Sequence, residues 1–121
     1  MAKVYFDTNF FIDLINRRTK VNLHQFLGHQ LHITPLSIHI YAYTYKIAIP
    51  NESLKDYTKF FNLISLTKTT INRSLQGPTN DLEDNIQLHS ASQASCQYFL
   101  TRDKPLLKLK QIGSTKIISN F

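Results

Sequence analysis

The chain has 121 residues, of which 42% are apolar; this suits a single domain over residues 1–121 with a real core and excludes a disordered chain. Its one cysteine, Cys96, excludes a disulfide framework and a cysteine-based zinc site, and no apolar run approaches the ~20 residues of a membrane span, so we expect a soluble cytoplasmic protein. Fourteen Lys and Arg against eight Asp and Glu give a net charge of +6, which favours polyanionic partners, nucleic acid above all.

The first half of the chain alternates short apolar runs with segments of helical spacing. Residues 3–6 are an apolar run typical of a buried strand, and the apolar residues of 10–15 then recur at helical spacing. In chain order we predict a strand at 3–6, a helix from the cap residues 7–9 to about 17, a short helix at 22–29, a strand at 31–34, a helix that begins near Pro35 and ends before Pro50, and a helix capped by Asn51 or Ser53 that runs to Phe61. The third of these helices carries an apolar stripe of Leu36, Ile40, Tyr43 and Ile47.

The second half continues the same alternation. In chain order we predict a strand at 62–66, a helix at 68–75 that Gly77 and Pro78 break, a helix from 81 to about 95, a strand at 97–101, a short helix at 104–110 and a strand at 116–119. Strands that alternate with helices predict a parallel sheet with helices on both faces. In such open sheets, ligands bind beyond the carboxyl ends of the strands.

Four of the acidic residues fall close to that edge of the predicted sheet. Asp7 directly follows the first strand, Asp103 follows the strand at 97–101, and Asp81 and Asp84 open the helix that leads into that strand. Crowded carboxylates repel one another, and a hard divalent ion such as Mg²⁺ or Mn²⁺ relieves that repulsion. An acidic metal pocket in a basic protein is the combination that a nuclease uses to hydrolyse a phosphodiester.

Each of these acids also has an alternative interpretation as a helix cap. Asp7 precedes a predicted helix, Asp81 and Asp84 have the spacing of a capping box, and Asp103 precedes the helix that contains Pro105. Their joint arrangement, at three predicted strand or helix ends that follow one another along the chain, favours the metal site over capping.

Three segments of the chain resemble PIN-domain proteins. Residues 4–12 (Val-Tyr-Phe-Asp-Thr-Asn-Phe-Phe-Ile) resemble the opening of that family, residues 81–91 (Asp-Leu-Glu-Asp-Asn-Ile-Gln-Leu-His-Ser-Ala) its central acidic helix, and residues 98–103 (Tyr-Phe-Leu-Thr-Arg-Asp) its final acidic strand end. The resemblance covers essentially the whole chain, in order. The short single domain is similar to VapC-type toxins of bacterial toxin–antitoxin pairs.

The resemblance implies a fold, an activity and a set of site residues. It implies a three-layer α/β/α PIN-like fold around a central parallel sheet of four or five strands, and a Mg²⁺- or Mn²⁺-dependent ribonuclease that hydrolyses single-stranded RNA with a metal-activated water. It further implies a homodimer and a small antitoxin partner. By motif match, Asp7, Asp84 and Asp103 are the metal ligands and catalytic residues, and Asn9 and Thr101 support the site by hydrogen bonds.

One position departs from the family pattern. The family usually carries a Glu on the third helix, where this chain has Ile40, and no acid lies between Asp13 and Glu52. Asp81 is a further candidate ligand, because it lies three residues from Asp84 on nearly the same helix face. The departure leaves open a second hypothesis, a catalytically impaired PIN-like module that binds RNA or protein. A nucleotide-binding Rossmann-like regulatory domain is disfavoured, because no Gly-rich loop follows the first strand.

Basic and aromatic side chains provide candidate RNA contacts. The candidates for contacts to phosphates are Arg17, Arg18, Arg102 and Lys104. Solvated surface charge is the alternative interpretation of all four. On the third helix we expect Tyr43 to pack inside, whereas Tyr41 and Tyr45 share another face and are candidates for base stacking, with core or partner contact as the alternative.

Overall fold

A computed structural model describes residues 1–16 and 23–120 of the chain. Its elements, in chain order, are β1 (Lys3–Phe6), α1 (Thr8–Ile15), a 3-10 helix (Leu23–Phe26), β2 (Gln30–Ile33), α2 (Pro35–Thr44), α3 (Glu52–Thr58), β3 (Asn62–Leu63), α4 (Lys68–Ser74), α5 (Leu82–Gln93), β4 (Tyr98–Leu100), α6 (Lys104–Leu109), β5 (Gln111–Ile112) and β6 (Thr115–Ile118). Within the described ranges, no helix has the length and apolar character needed to cross a membrane.

One six-stranded sheet organises the chain, in the order β3-β2-β1-β4-β6-β5. The first five strands in that order run parallel to their neighbours, and β5 pairs antiparallel with β6 at the edge. The predicted α/β fold with a central parallel sheet is therefore confirmed. The sheet has six strands, so the expectation of four or five is wrong by one. The additional strand is β5, whose two residues have no periodicity to detect.

Two apolar clusters fill the opposite faces of the sheet, because successive residues of a strand point to opposite sides. Val4 and Phe6 of β1 belong to the first cluster, whose other members come mainly from α1 and β2. Tyr5 belongs to the second, which includes Phe99 of β4 and residues of α5 and α6. The Phe6 ring makes edge-to-face contacts with three other aromatic rings, Phe10, Phe26 and Phe61. Both faces of the sheet are thus covered, as the three-layer prediction requires.

Several predicted details differ in the structure. Over the described residues 23–29, the predicted helix at 22–29 is a single 3-10 turn, Leu23–Phe26. The chain then turns at Gly28, whose φ is 87°. The predicted strand at 62–66 has two residues, 62 and 63. The apolar stripe assigned to the third helix is rotated, since Tyr43 is 80% exposed whereas Tyr41 and Tyr45 pack against the first cluster.

Candidate functional site

The register between β1 and β4 places Asp7 beside Thr101. Phe6 pairs with Leu100, so the residues that follow lie side by side at the carboxyl ends of the two strands. The Thr101 hydroxyl donates to Asp7 Oδ2 at 2.7 Å and accepts from the Asp103 N–H at 3.0 Å. One buried hydroxyl therefore connects the two acids that follow these strands.

Helix capping accounts for one of the four acids and leaves the others to be explained. Asp81 is the N-cap of α5, and its side chain accepts the Asp84 N–H at 2.9 Å. Asp7 and Asp103 occupy the N-cap positions of α1 and α6, yet neither side chain accepts a hydrogen bond as a cap. Asp84 lies in the first turn of α5. The capping interpretation thus holds for Asp81 and fails for Asp7 and Asp103.

The carboxylates of the site interact electrostatically. Asp7 is 4% exposed, and its burial raises its pKa to about 6, against the hydrogen bond from Thr101 and with help from the charges of Asp103 and Glu83. Desolvation also raises the pKa of Asp84 to about 6, and the charges of Asp81, Asp7 and Asp103 add to the rise. The negative charges of Asp7, Asp84 and Asp103 therefore act on one another at the edge of the sheet.

Glu83 is an acid of this site that sequence analysis missed. It lies in the first turn of α5, and its negative charge raises the pKa of Asp7. The side chain is exposed overall, yet partial desolvation of its carboxyl, followed by the charges of Asp81 and Asp84, raises the pKa of Glu83 as well. The sequence signal for Glu83 was its position between Asp81 and Asp84 at the start of a predicted helix.

Gln87 ties α5 to the helix that follows Asp7. Its Oε1 accepts the Thr8 N–H at 2.8 Å and the Thr8 hydroxyl at 3.0 Å. The Thr8 hydroxyl also lies 2.8 Å from Ser37 Oγ of α2. All three side chains are buried. Sequence analysis missed this network, although Gln87 is a polar residue three positions after Asp84 and so lies on nearly the same face of the helix.

Two positions that the resemblance singled out are not part of this network. The Asn9 side chain is exposed and forms no hydrogen bond with any described residue, so its implied supporting role stays a prediction. Ile40 is half-buried and packs against the first apolar cluster, where it offers no ligand atom.

The predicted phosphate contacts differ in their surroundings. The Arg102 guanidinium lies 3.5 Å from Asp13 Oδ2 and 4.7 Å from the centre of the Phe10 ring, so it already makes intramolecular contacts. Lys104 is exposed beside Asp103. Arg17 and Arg18 lie outside the described residues.

The donor set of this edge suits a hard divalent cation in its chemistry. Asp7, Asp84 and Asp103 offer only oxygen atoms, and their mutual repulsion is what a bound cation relieves. In the positions that the side chains occupy across residues 1–16 and 23–120, no three acidic, His or Cys residues lie close enough together to hold one ion. Binding of one ion by all three acids therefore requires an arrangement of these side chains that differs from the one in the structure.

Comparison with known proteins shows a likeness of fold. Neither a protein-family model nor a curated protein matches the sequence. Among solved structures, a chain of VapBC2 from Rickettsia felis, determined with a DNA fragment from the promoter, matches with a TM-score of 0.70 and 11% sequence identity over 98% of both chains. A likeness at that identity is one of fold. The chain thus shares its whole α/β fold with a chain of that VapBC2 complex.

Proposed function

We propose that this chain is a Mg²⁺- or Mn²⁺-dependent ribonuclease of PIN type that hydrolyses single-stranded RNA, and that it is the toxin of a toxin–antitoxin pair. The observation that carries the proposal is the electrostatic interaction among Asp7, Asp84 and Asp103 at the carboxyl edge of a parallel sheet. The net charge of +6 suits an RNA substrate. The fold likeness to a VapBC2 chain supports the toxin–antitoxin context.

In this proposal each acid has a defined part. Thr101 donates a hydrogen bond that orients the Asp7 carboxylate, and Asp84 and Asp103 are half-buried acids of the same site. A divalent ion bound by these carboxylates would supply the Lewis acidity for phosphodiester hydrolysis. Lys104, exposed beside Asp103, lies where it can contact an RNA phosphate at the rim of the site.

The proposed partners follow from the same context. A small antitoxin protein is the proposed regulator, since the matching chain comes from a VapBC2 complex. A homodimer and a cytoplasmic site of action are further parts of the proposal. They rest on the resemblance to VapC-type toxins and on the RNA substrate.

A second candidate function is a PIN-like module that binds RNA or protein without turnover. Two observations favour it: Ile40 stands where the family usually has a Glu, and the described acids do not form a three-membered metal group in their present positions. Catalytic turnover distinguishes the two candidates, since RNA binding is compatible with both.

Cleavage of a mixed panel of single-stranded RNAs tests the proposal. The panel is incubated with Mg²⁺, with Mn²⁺ or with EDTA, and wild type is compared with Asp84→Asn and Asp56→Asn. Asp56 is an exposed acid of α3 that pairs with Lys59, so its variant is a control for the same loss of charge. We expect metal-dependent cleavage by wild type and Asp56→Asn, and none by Asp84→Asn. Equal background from all three folded proteins would reject the nuclease in favour of the binding module.

A further inference from the structure

One solvent-facing strip of α2 combines aromatic and basic side chains. His39 and Tyr43 are exposed and stack on each other, with ring centroids 6.3 Å apart and an interplanar angle of 29°. Lys46, also exposed, lies in the turn that ends the helix, where its N–H reaches the Tyr43 carbonyl at 3.4 Å. We call His39, Tyr43 and Lys46 the α2 strip.

The α2 strip contributes little to the stability of the fold. Tyr41 and Tyr45, on another face of the same helix, pack against the first apolar cluster, with their ring centroids 5.1 Å apart. Tyr43 is 80% exposed, so its ring adds little buried area to that cluster. A large aromatic ring in solvent, already stacked on an imidazole, is a preformed surface for another flat ring.

The helix that carries the strip starts at the candidate site. Pro35 opens α2 beyond the carboxyl end of β2, and Ser37 in its first turn contacts Thr8, the neighbour of Asp7. At a rise of 1.5 Å per residue, Tyr43 lies about 9 Å further along the helix axis than Ser37. Ser37 and Tyr43 point about 120° apart around the helix axis, so a strand whose phosphate lies at the acids has to pass round the start of α2 to place a base on Tyr43.

The charge of this part of the chain favours a polyanion. Residues 23–51 contain no Asp or Glu, and Lys46 is the one Lys or Arg among them, in a protein whose net charge is +6. An acidic patch on a protein partner would satisfy the charge but would have no need of a stacked, solvent-facing ring pair. A flat aromatic surface followed by a cation in the next turn of the chain matches the base and the phosphate of a nucleotide.

We propose that the α2 strip binds single-stranded RNA by stacking a base on Tyr43, while Lys46 contacts a neighbouring phosphate. This inference deepens the proposed ribonuclease function, because it places the part of the substrate beyond the cleaved bond. It requires unpaired bases, since a base within a duplex has no free face to stack on the ring.

Binding without cleavage tests the strip separately from catalysis. Fluorescence anisotropy in EDTA measures the affinity for a labelled single-stranded oligoadenylate and for an abasic oligonucleotide of the same length and charge. We expect wild type to prefer the base-bearing strand by about 5- to 150-fold. Tyr43→Ala should remove most of that preference and Tyr43→Phe should keep it. Phe60→Ala, an equally drastic change at a 62% exposed ring near β3, should keep it as well.

Other results would overturn the inference. Wild type that binds both oligonucleotides equally, or Tyr43→Ala with the preference of wild type, would remove stacking as the role of Tyr43. If Tyr43→Ala instead weakens self-association in sedimentation velocity and leaves RNA affinity unchanged, the strip is a contact between two copies of the chain. The metal is absent throughout, so a failure here leaves the cleavage experiment with Asp84→Asn untouched, and the reverse also holds.

Discussion

Asp7 is the residue at which stability and proposed activity conflict. Its side chain is almost fully buried and receives one side-chain hydrogen bond, from Thr101. Burial is therefore the first cause of the rise of its pKa to about 6. The fold alone gains nothing from an ionised carboxylate at this buried position. The charge of Asp7 therefore points to a functional role.

Asp7→Asn should stabilise the protein at neutral pH in the absence of metal. The folded pKa of about 6 exceeds the ordinary 3.8, so the contribution of Asp7 to stability is complete below pH 3.8 and is lost as the pH rises through 6. The interval corresponds to about 3 kcal/mol. Urea unfolding in EDTA should show the gain of Asp7→Asn over wild type near pH 8 and lose it near about pH 4. A gain that does not change with pH would contradict this origin.

Thr101→Val should destabilise the protein although the two side chains have the same shape. The substitution removes the donor to Asp7 and the acceptor of the Asp103 N–H. Leaving buried polar groups without partners costs about 1–3 kcal/mol, which urea unfolding at neutral pH would detect. Thr101→Ser keeps the hydroxyl and should lose much less. If Ser and Val cost the same, methyl packing rather than the hydroxyl holds the site together.

Among the elements, α5 links the acids to the core. Its first turn carries Glu83 and Asp84, and Gln87 one turn later fixes the helix to Thr8. Leu88 and Ala91, further along, belong to the second apolar cluster. The helix can therefore position its carboxylates only while both its polar and its apolar contacts persist.

Gln87→Met should break the polar link while keeping the volume of the side chain. The Thr8 N–H then loses its acceptor inside the protein, which we expect to lower the free energy of unfolding by about 1–3 kcal/mol. Gln76→Met, the same change at an exposed position, serves as the control in thermal and urea unfolding. If the two variants are equally stable, the hydrogen bond from Thr8 to Gln87 adds nothing to the free energy of unfolding beyond what a bond to water would.

The elements that sequence reasoning predicted well have a strong local signal. The apolar run of β1, the helical spacing of α1 and the cap at Asp81 each act within a few residues, and together they predict which edge of the sheet carries the acids. The features that could not be predicted from the sequence depend on contacts between residues that are distant along the chain. The rotation of α2, which leaves Tyr43 in solvent, and the bonds of Gln87 to Thr8 are decided by neighbours 29 to 79 positions away along the chain.

Across the chain, most of the acids are concentrated at one edge of the sheet. Four of the eight acids lie at positions 81, 83, 84 and 103, and Asp7 joins them in space, while residues 14–51 are free of acids. The protein thus combines a net positive charge with one locally negative edge. Such a distribution attracts an RNA backbone over most of the surface and repels it at the acids unless a cation compensates.

Divalent metal should therefore stabilise the folded chain, and the effect should grow with pH. Below about pH 6 protons occupy Asp7 and Asp84 and compete with the ion, whereas above it the carboxylates are ionised and repel one another. At a metal concentration one hundred times the Kd, linkage predicts a gain of about 2.7 kcal/mol. Thermal unfolding with Mn²⁺ or EDTA should show a larger rise of Tm near pH 8 than near about pH 5.

The location of that metal effect is tested by two variants that lose the same charge. Asp84→Asn removes a carboxylate from the site, and we expect it to lose most of the rise in Tm. Asp56→Asn removes an exposed carboxylate on α3 that pairs with Lys59 and should respond as wild type does, because a single surface acid beside a cation binds divalent ions weakly. A rise of the same size in both variants would assign the effect to general screening of charge. The acidic edge would then be electrostatically strained without being a metal site.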